Sequence, residues 1–151
     1  MGLKDLLLGK EKLITDKKIG ILKARIKNTN PSINHTWTCE VLLPRQQNET
    51  VIILEGNADG PFKGQLDSVY SIVDSIEELK EKILLESDIQ DTNNINRDGN
   101  WLANFYLSAI TPIDINENSF EVNFEPIKPN ENGYVLFTWK YNQVSDIDIK
   151  Q

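Results

Sequence analysis

Apolar and polar positions alternate in several short stretches of this chain, and in one long stretch the apolar ones recur at helical spacing. Residues 19–27 read as a first strand. Ile19 and Ile21 fall on one face, Leu22, Ala24 and Ile26 on the other, with Lys23, Arg25 and Lys27 toward water at the far end. Residues 36–43 place Trp37, Cys39, Val41 and Leu43 on one face and Thr36, Thr38 and Glu40 opposite. Residues 50–55 form a third strand of mostly β-branched residues, Val51, Ile52 and Ile53. The loops between them are short, so the three strands form an antiparallel meander.

The period then changes. After the Gly56-Asn57-Ala58-Asp59-Gly60-Pro61 loop, apolar residues recur at Leu66, Val69, Val73, Ile76, Leu79 or Lys80, and Ile83, widened by Ile72 and Leu84. That stripe predicts one long helix over about 64–86, with Asp67, Asp74, Glu77, Glu78 and Glu81 on its outer faces. Ser75-Ile76-Glu77-Glu78 also matches a capping box, which leaves a break at Ser75 as the alternative. Residues 87–100 are polar and Asn-rich and read as a loop. Strands follow at 102–110 and 119–124, then a hairpin of 133–141 and 143–149 around Tyr141-Asn142. The expected fold is α+β, an antiparallel sheet in the order β-β-β-α-β-β-β-β with one long helix packed on it. Residues 1–151 read as a single domain, with 1–12 a short N-terminal helix or arm whose Leu3, Leu6 and Leu7 dock onto the body.

Composition narrows the class. The chain has 151 residues, a hydrophobic content of 39% and a charged content of 26%, which suit a soluble globular protein. One cysteine, Cys39, excludes an internal disulfide and favours a reducing cytoplasm. The opening residues are too short and interrupted for a signal peptide, Leu6-Leu7-Leu8 is far below a membrane span, and no membrane partner is expected. Gly2 does not make a myristoylation signal, because Leu6 stands where Ser or Thr is wanted.

The formal net charge is -7. It argues against a general nucleic-acid binder. The charge is not uniform. Residues 1–54 hold nine Lys/Arg against five Asp/Glu, residues 55–98 four against eleven, and residues 99–151 three against seven. A basic N-terminal third therefore meets an acidic middle, and a local patch around Lys23, Arg25 and Lys27 could still touch an anion.

Tests for chemistry come back empty. His35 and Cys39 are four residues apart on one strand, about 13 Å, too far for a nucleophile–base pair. Cys39 reads as a small core residue and His35 as a loop-edge residue. One Cys and one His do not make a zinc site. Asn94-Ile95-Asn96-Arg97-Asp98-Gly99 resembles the front of a calcium loop, but Phe105 stands where the bidentate Glu is needed. Asp146 with Asp148, and Asp114 with Glu117, are carboxylate pairs that read as solvated surface. Phe120, Phe124, Phe137 and Trp139 alternate with polar residues, a sheet-core pattern and not a stacking platform. No cofactor and no metal are implied.

Several markers together resemble a known group. They are the Met1-Gly2-Leu3-Lys4-Asp5-Leu6-Leu7 opening, Ile19-Gly20 before the first strand, Trp37 inside the second, and the Gly60-Pro61 turn followed by Gln65 and a helix. Phe105-Tyr106-Leu107 to Ile110 and Phe120-Glu121-Val122-Asn123-Phe124 also fit. They are similar to small acidic bacterial domains of unknown function, some encoded beside polymorphic toxins and thought to be immunity proteins. The resemblance implies a binding protein and transfers no catalytic residues. The leading expectation is a non-enzymatic protein-binding domain, an immunity-type inhibitor of a basic toxin. Its partner-binding residues would be Asp67, Tyr70, Asp74, Glu77, Glu78 and Glu81. The alternatives are an enzyme of unrecognised chemistry with a carboxylate site, and a structural or oligomerisation module.

Overall fold

In this computed structural model, residues 2–90 and 100–150 are described. Eight strands form one sheet whose spatial order equals the chain order. They are β1 (Lys10–Asp16), β2 (Gly20–Ile26), β3 (His35–Val41), β4 (Thr50–Gly56), β5 (Phe105–Asp114), β6 (Ser119–Pro126), β7 (Tyr134–Lys140) and β8 (Gln143–Lys150). The helices are α1 (Leu3–Leu8), α2 (Lys63–Asp74) and α3 (Ile76–Gln90), and a 3-10 turn at Trp101–Asn104 leads into β5. The α+β class and the meander of β2, β3 and β4 agree with the sequence pattern.

Four expectations about the elements and their placement are corrected, as is one about strand faces. The first is the sheet, which is not wholly antiparallel: β4 and β5 pair in parallel, Val51 with Ala109 and Ile52 with Ile110. The connection between them carries both long helices, which brings the chain back to the end where β4 began. The second is the long helix, which is two helices. Ser75 leaves helical geometry with φ −116 and ψ 19, its amide bonds to Ile72 O, and its carbonyl accepts from Leu79 N at 2.8 Å. The apolar stripe runs on across the break because Val69 and Ile72 of α2 and Leu79 and Ile83 of α3 enter the same core. Ser87 accordingly lies in α3 and not in a loop. The calcium-like motif at 94–99 lies outside the described residues.

The third correction is at the N-terminus, where residues 10–16 form an edge strand paired antiparallel with β2 along its whole length. The element order is therefore α-β-β-β-β-α-α-β-β-β-β, apart from the 3-10 turn. The fourth is α1. Leu3, Leu6 and Leu7 do not dock on the body but are 74%, 70% and 64% exposed, and no α1 residue is buried. Asp5 faces inward instead, because the Arg25 guanidinium bonds Asp5 at 3.3 Å and the Gly9 carbonyl at 3.1 Å.

One face of the sheet carries the core. Trp37, Ile52, Leu54, Leu107, Ile110, Phe120, Phe124 and Phe137 are buried there against the helices. Phe124 and Phe137 stack with centroids 6.1 Å apart, and Trp101 meets Phe105 edge-on at 5.4 Å. Ile19 turns inward ahead of β2, while Ile21 on the strand is exposed, so the two do not share a face. On the opposite face Leu13, Ile21 and Val51 are exposed, as antiparallel sheets permit. The β7–β8 hairpin turns through Tyr141 (φ 50) and Asn142 (φ 58), the positive values a two-residue turn needs. In β8 a bulge at Asp146 (φ 52) interrupts the alternation between the half-buried Val144 and Ile147. Gly56 has no room for a side chain: a Cβ there would lie 2.1 Å from Gly60 O. Among the described residues, no helix is long and apolar enough to cross a membrane.

Candidate functional site

A cleft of about 890 Å3 opens at one end of the sheet. Its walls are the β1–β2 turn (Lys17, Lys18), the β3–β4 loop (Pro44 to Gln47), the α2–α3 junction (Val73 to Lys80) and the start of β5 (Phe105, Tyr106). Each wall has a local cause. Asp16 ends β1 by accepting the amides of Lys18 at 2.8 Å and Ile19 at 2.9 Å, an Asx turn that sends Lys17 and Lys18 outward. The Leu43–Gln46 turn closes with Gln46 N on Leu43 O at 3.2 Å. Pro44 presets its second position, and Arg45 takes φ 67 at the third, where type II turns want glycine.

The walls are tied together by side chains. The Tyr70 hydroxyl of α2 donates to Asp16. Lys18 Nζ meets Asp74 Oδ2 at 2.5 Å and lies 5.1 Å from the Tyr70 ring centre. Burial and the Asp16 carboxylate push the Tyr70 hydroxyl up to about 12. Burial works to raise the Asp16 carboxyl, yet the Tyr70 hydroxyl, the Ile19 and Lys18 amides and the Lys18 charge together take it below its usual value. On the far side, Gln46 Oε1 accepts Leu107 N at 2.9 Å and Nε2 donates to Thr50 Oγ1 at 2.9 Å. Thr50 Oγ1 in turn donates to Leu107 O at 2.6 Å. At the floor, Lys80 Nζ donates to Phe105 O at 2.9 Å and lies 5.8 Å from the Phe124 ring centre. Burial lowers the Lys80 ammonium below its usual value, against the opposing charge of Glu77.

The sequence-derived residues divide between this cleft and the outer helix surface. Asp74, Glu77 and Glu78 line the cleft, one from the end of α2 and two from the first turn of α3. Glu81 follows one turn on and is exposed. Asp67 lies farther along α2 and pairs with Lys63 at 2.5 Å, four residues away. Tyr70 is half-buried, its hydroxyl engaged with Asp16. Among the described residues, no ion pair engages Glu77, Glu78 or Glu81.

The cationic and amide side of the cleft was not singled out by the sequence. Lys17, Arg45, Gln46 and Lys80 belong to three separate segments and carry no shared motif. The one available signal was the Pro44-Arg45 turn. His35 and Cys39 stay apart: His35 Nε2 lies 2.9 Å from Asn28 O, and Cys39 is buried in the core. Burial, with the Asp16 charge, pushes the Cys39 thiol up to about 11, which suits an inert core residue. Among the described residues, no cluster of His, Cys, Asp and Glu could hold a metal ion.

Compared with protein-family models, with curated proteins and with solved structures, the chain matches none of them.

Proposed function

We propose that this chain is a non-enzymatic protein-binding domain, an immunity-type inhibitor that takes a basic surface of a toxin at the helix wall of the cleft. The observation that carries the reading is the convergence of Asp74, Glu77 and Glu78 from two helices on one rim, with Glu81 beside them. Lys18 offsets Asp74, whereas Glu77, Glu78 and Glu81 keep their charge available to a partner. Lys17 and Arg45 stand on the opposite wall, so the best-fitting partner sets a basic side chain against α3 and an acidic or amide group against the β3–β4 loop. Charge of this kind steers encounter and sets register more than it adds affinity.

The test is binding to the product of the neighbouring gene, measured at low and high salt. A double charge reversal, Glu77→Lys with Glu78→Lys, is expected to slow association by about tenfold at low salt and to flatten its salt dependence. No binding, or binding that neither salt nor the reversal changes, would overturn the reading.

A further inference from the structure

Helix α1 is amphipathic in the inverted sense. Leu3, Leu6 and Leu7 stand at i, i+3 and i+4 on one face, and all three are exposed. Leu8, the last residue of the helix, and Leu13 on β1 are also exposed. The helix is nevertheless fixed. Asp5 and the Gly9 carbonyl are both held by Arg25, which also lies 3.8 Å from Glu11. Gly9 takes φ 85, and a Cβ there would lie 2.6 Å from Ile26 O, so the junction into β1 admits only glycine. A helix held by its polar side and its backbone, with leucines turned to solvent, marks an interaction surface.

The surroundings say what kind. Lys4 on α1, Lys10 at the start of β1, and Lys23 and Lys27 on and after β2 are all exposed. The side chain of Lys27 passes beside Gly9. Among the described residues, none of these four lysines is in an ion pair. We infer that α1 docks the chain on an anionic lipid surface, with the leucines in the acyl boundary and the lysines on the headgroups. Cations spread over three segments suit a diffuse negative plane. A two-fold α1–α1 contact would instead set the same lysines against each other. The acidic rim of the cleft lies at the other end of β1, where Lys18 holds Asp74, roughly 20 Å away along the strand. Docking through α1 therefore turns the acidic rim away from the lipid.

The test is co-sedimentation of the full chain with phosphatidylcholine vesicles, with and without about 30% phosphatidylglycerol, at low and high salt. The wild type is expected to partition at least about tenfold better onto the anionic vesicles. Leu6→Ser with Leu7→Ser should lose about tenfold while keeping the native circular dichroism, since both leucines are exposed. Lys4→Glu with Lys10→Glu should lose the preference for phosphatidylglycerol. The inference is overturned by absence of binding to anionic vesicles, by equal binding to neutral ones, or by full binding of the leucine variant. It is also overturned by a wild-type dimer in light scattering that the leucine variant dissolves, which would make the occupant a second copy.

Discussion

The side chain of Gln46 stands beside Leu107 as a strand backbone would, taking its amide proton on Oε1 at 2.9 Å while Nε2 lies 3.4 Å from its carbonyl. The parallel β4–β5 junction is thereby closed from outside both strands, and Thr50 completes it with a hydroxyl on the same carbonyl. Replacing Gln46 by Leu leaves the Leu107 amide without that acceptor in a half-buried place. The expected cost is about 1–3 kcal/mol in urea unfolding. The Gln46→Glu variant keeps the acceptor but loses the Nε2 donors, so its stability should fall between those of wild type and Gln46→Leu.

Arg45 carries a backbone cost at the neighbouring position. Its φ of 67 lies in the left-handed region, which costs a side-chain-bearing residue about 1–2 kcal/mol. Arg45→Gly removes that strain but loosens the unfolded chain, so a net gain of roughly 0.5–1 kcal/mol is expected in thermal or urea unfolding. The same variant should weaken binding of a cleft partner if the loop wall contributes. A gain in stability with a loss of binding would identify Arg45 as strain retained for function.

The alternating strands and the β7–β8 turn were legible because each is a local pattern: Phe120, Val122 and Phe124 are all buried, and Asn142 takes the positive φ expected of it. The break at Ser75 was harder. Both helices pack on one core, so Val69, Ile72, Leu79 and Ile83 stay in phase across it and the stripe carries no gap. Strand β1 was hidden by its edge position, where Lys10, Glu11, Lys12 and Thr15 leave only Ile14 packed on the core. The orientation of α1 could not be read at all, because a leucine stripe says which face is apolar and not which face is covered. Of the site, the acidic rim was visible as charge on a helix. Its opposite wall depends on loops meeting in space.

The Tyr70–Asp16 bond predicts stability changes at both ends of the pH scale. The phenol is raised from 10.0 to about 12, so the neutral hydroxyl is favoured in the fold. Its contribution is fully present below about pH 10 and is lost as the pH rises through about 12. The Asp16 carboxyl is lowered from 3.8, so its contribution is present above that value and is lost as the pH falls. Tyr70→Phe should therefore be less stable than wild type at neutral pH. It should also show a shallower decline in urea midpoint between pH 10 and 12, and on acidification below about pH 4. Parallel curves for the two proteins would show that the hydroxyl contributes nothing.

Cys39 offers a reporter for opening of the β2–β3–β4 core. It is the single cysteine, it is buried, and its thiol is pushed up to about 11 by burial and by the charge of Asp16. A thiol reagent at pH 8 meets very little thiolate and no access while the sheet is closed. Native labelling is therefore expected to be at least about a thousandfold slower than labelling in urea, with a rate set by opening of the core. Gly56→Ala forces a Cβ against the Gly60 carbonyl at the end of β4, so it should raise the native labelling rate by an order of magnitude or more. Leu6→Ser, on the exposed helix, should leave the rate unchanged. Equal acceleration by both substitutions would mean that α1 contributes to holding this part of the sheet closed, against the exposed and separately anchored helix described here.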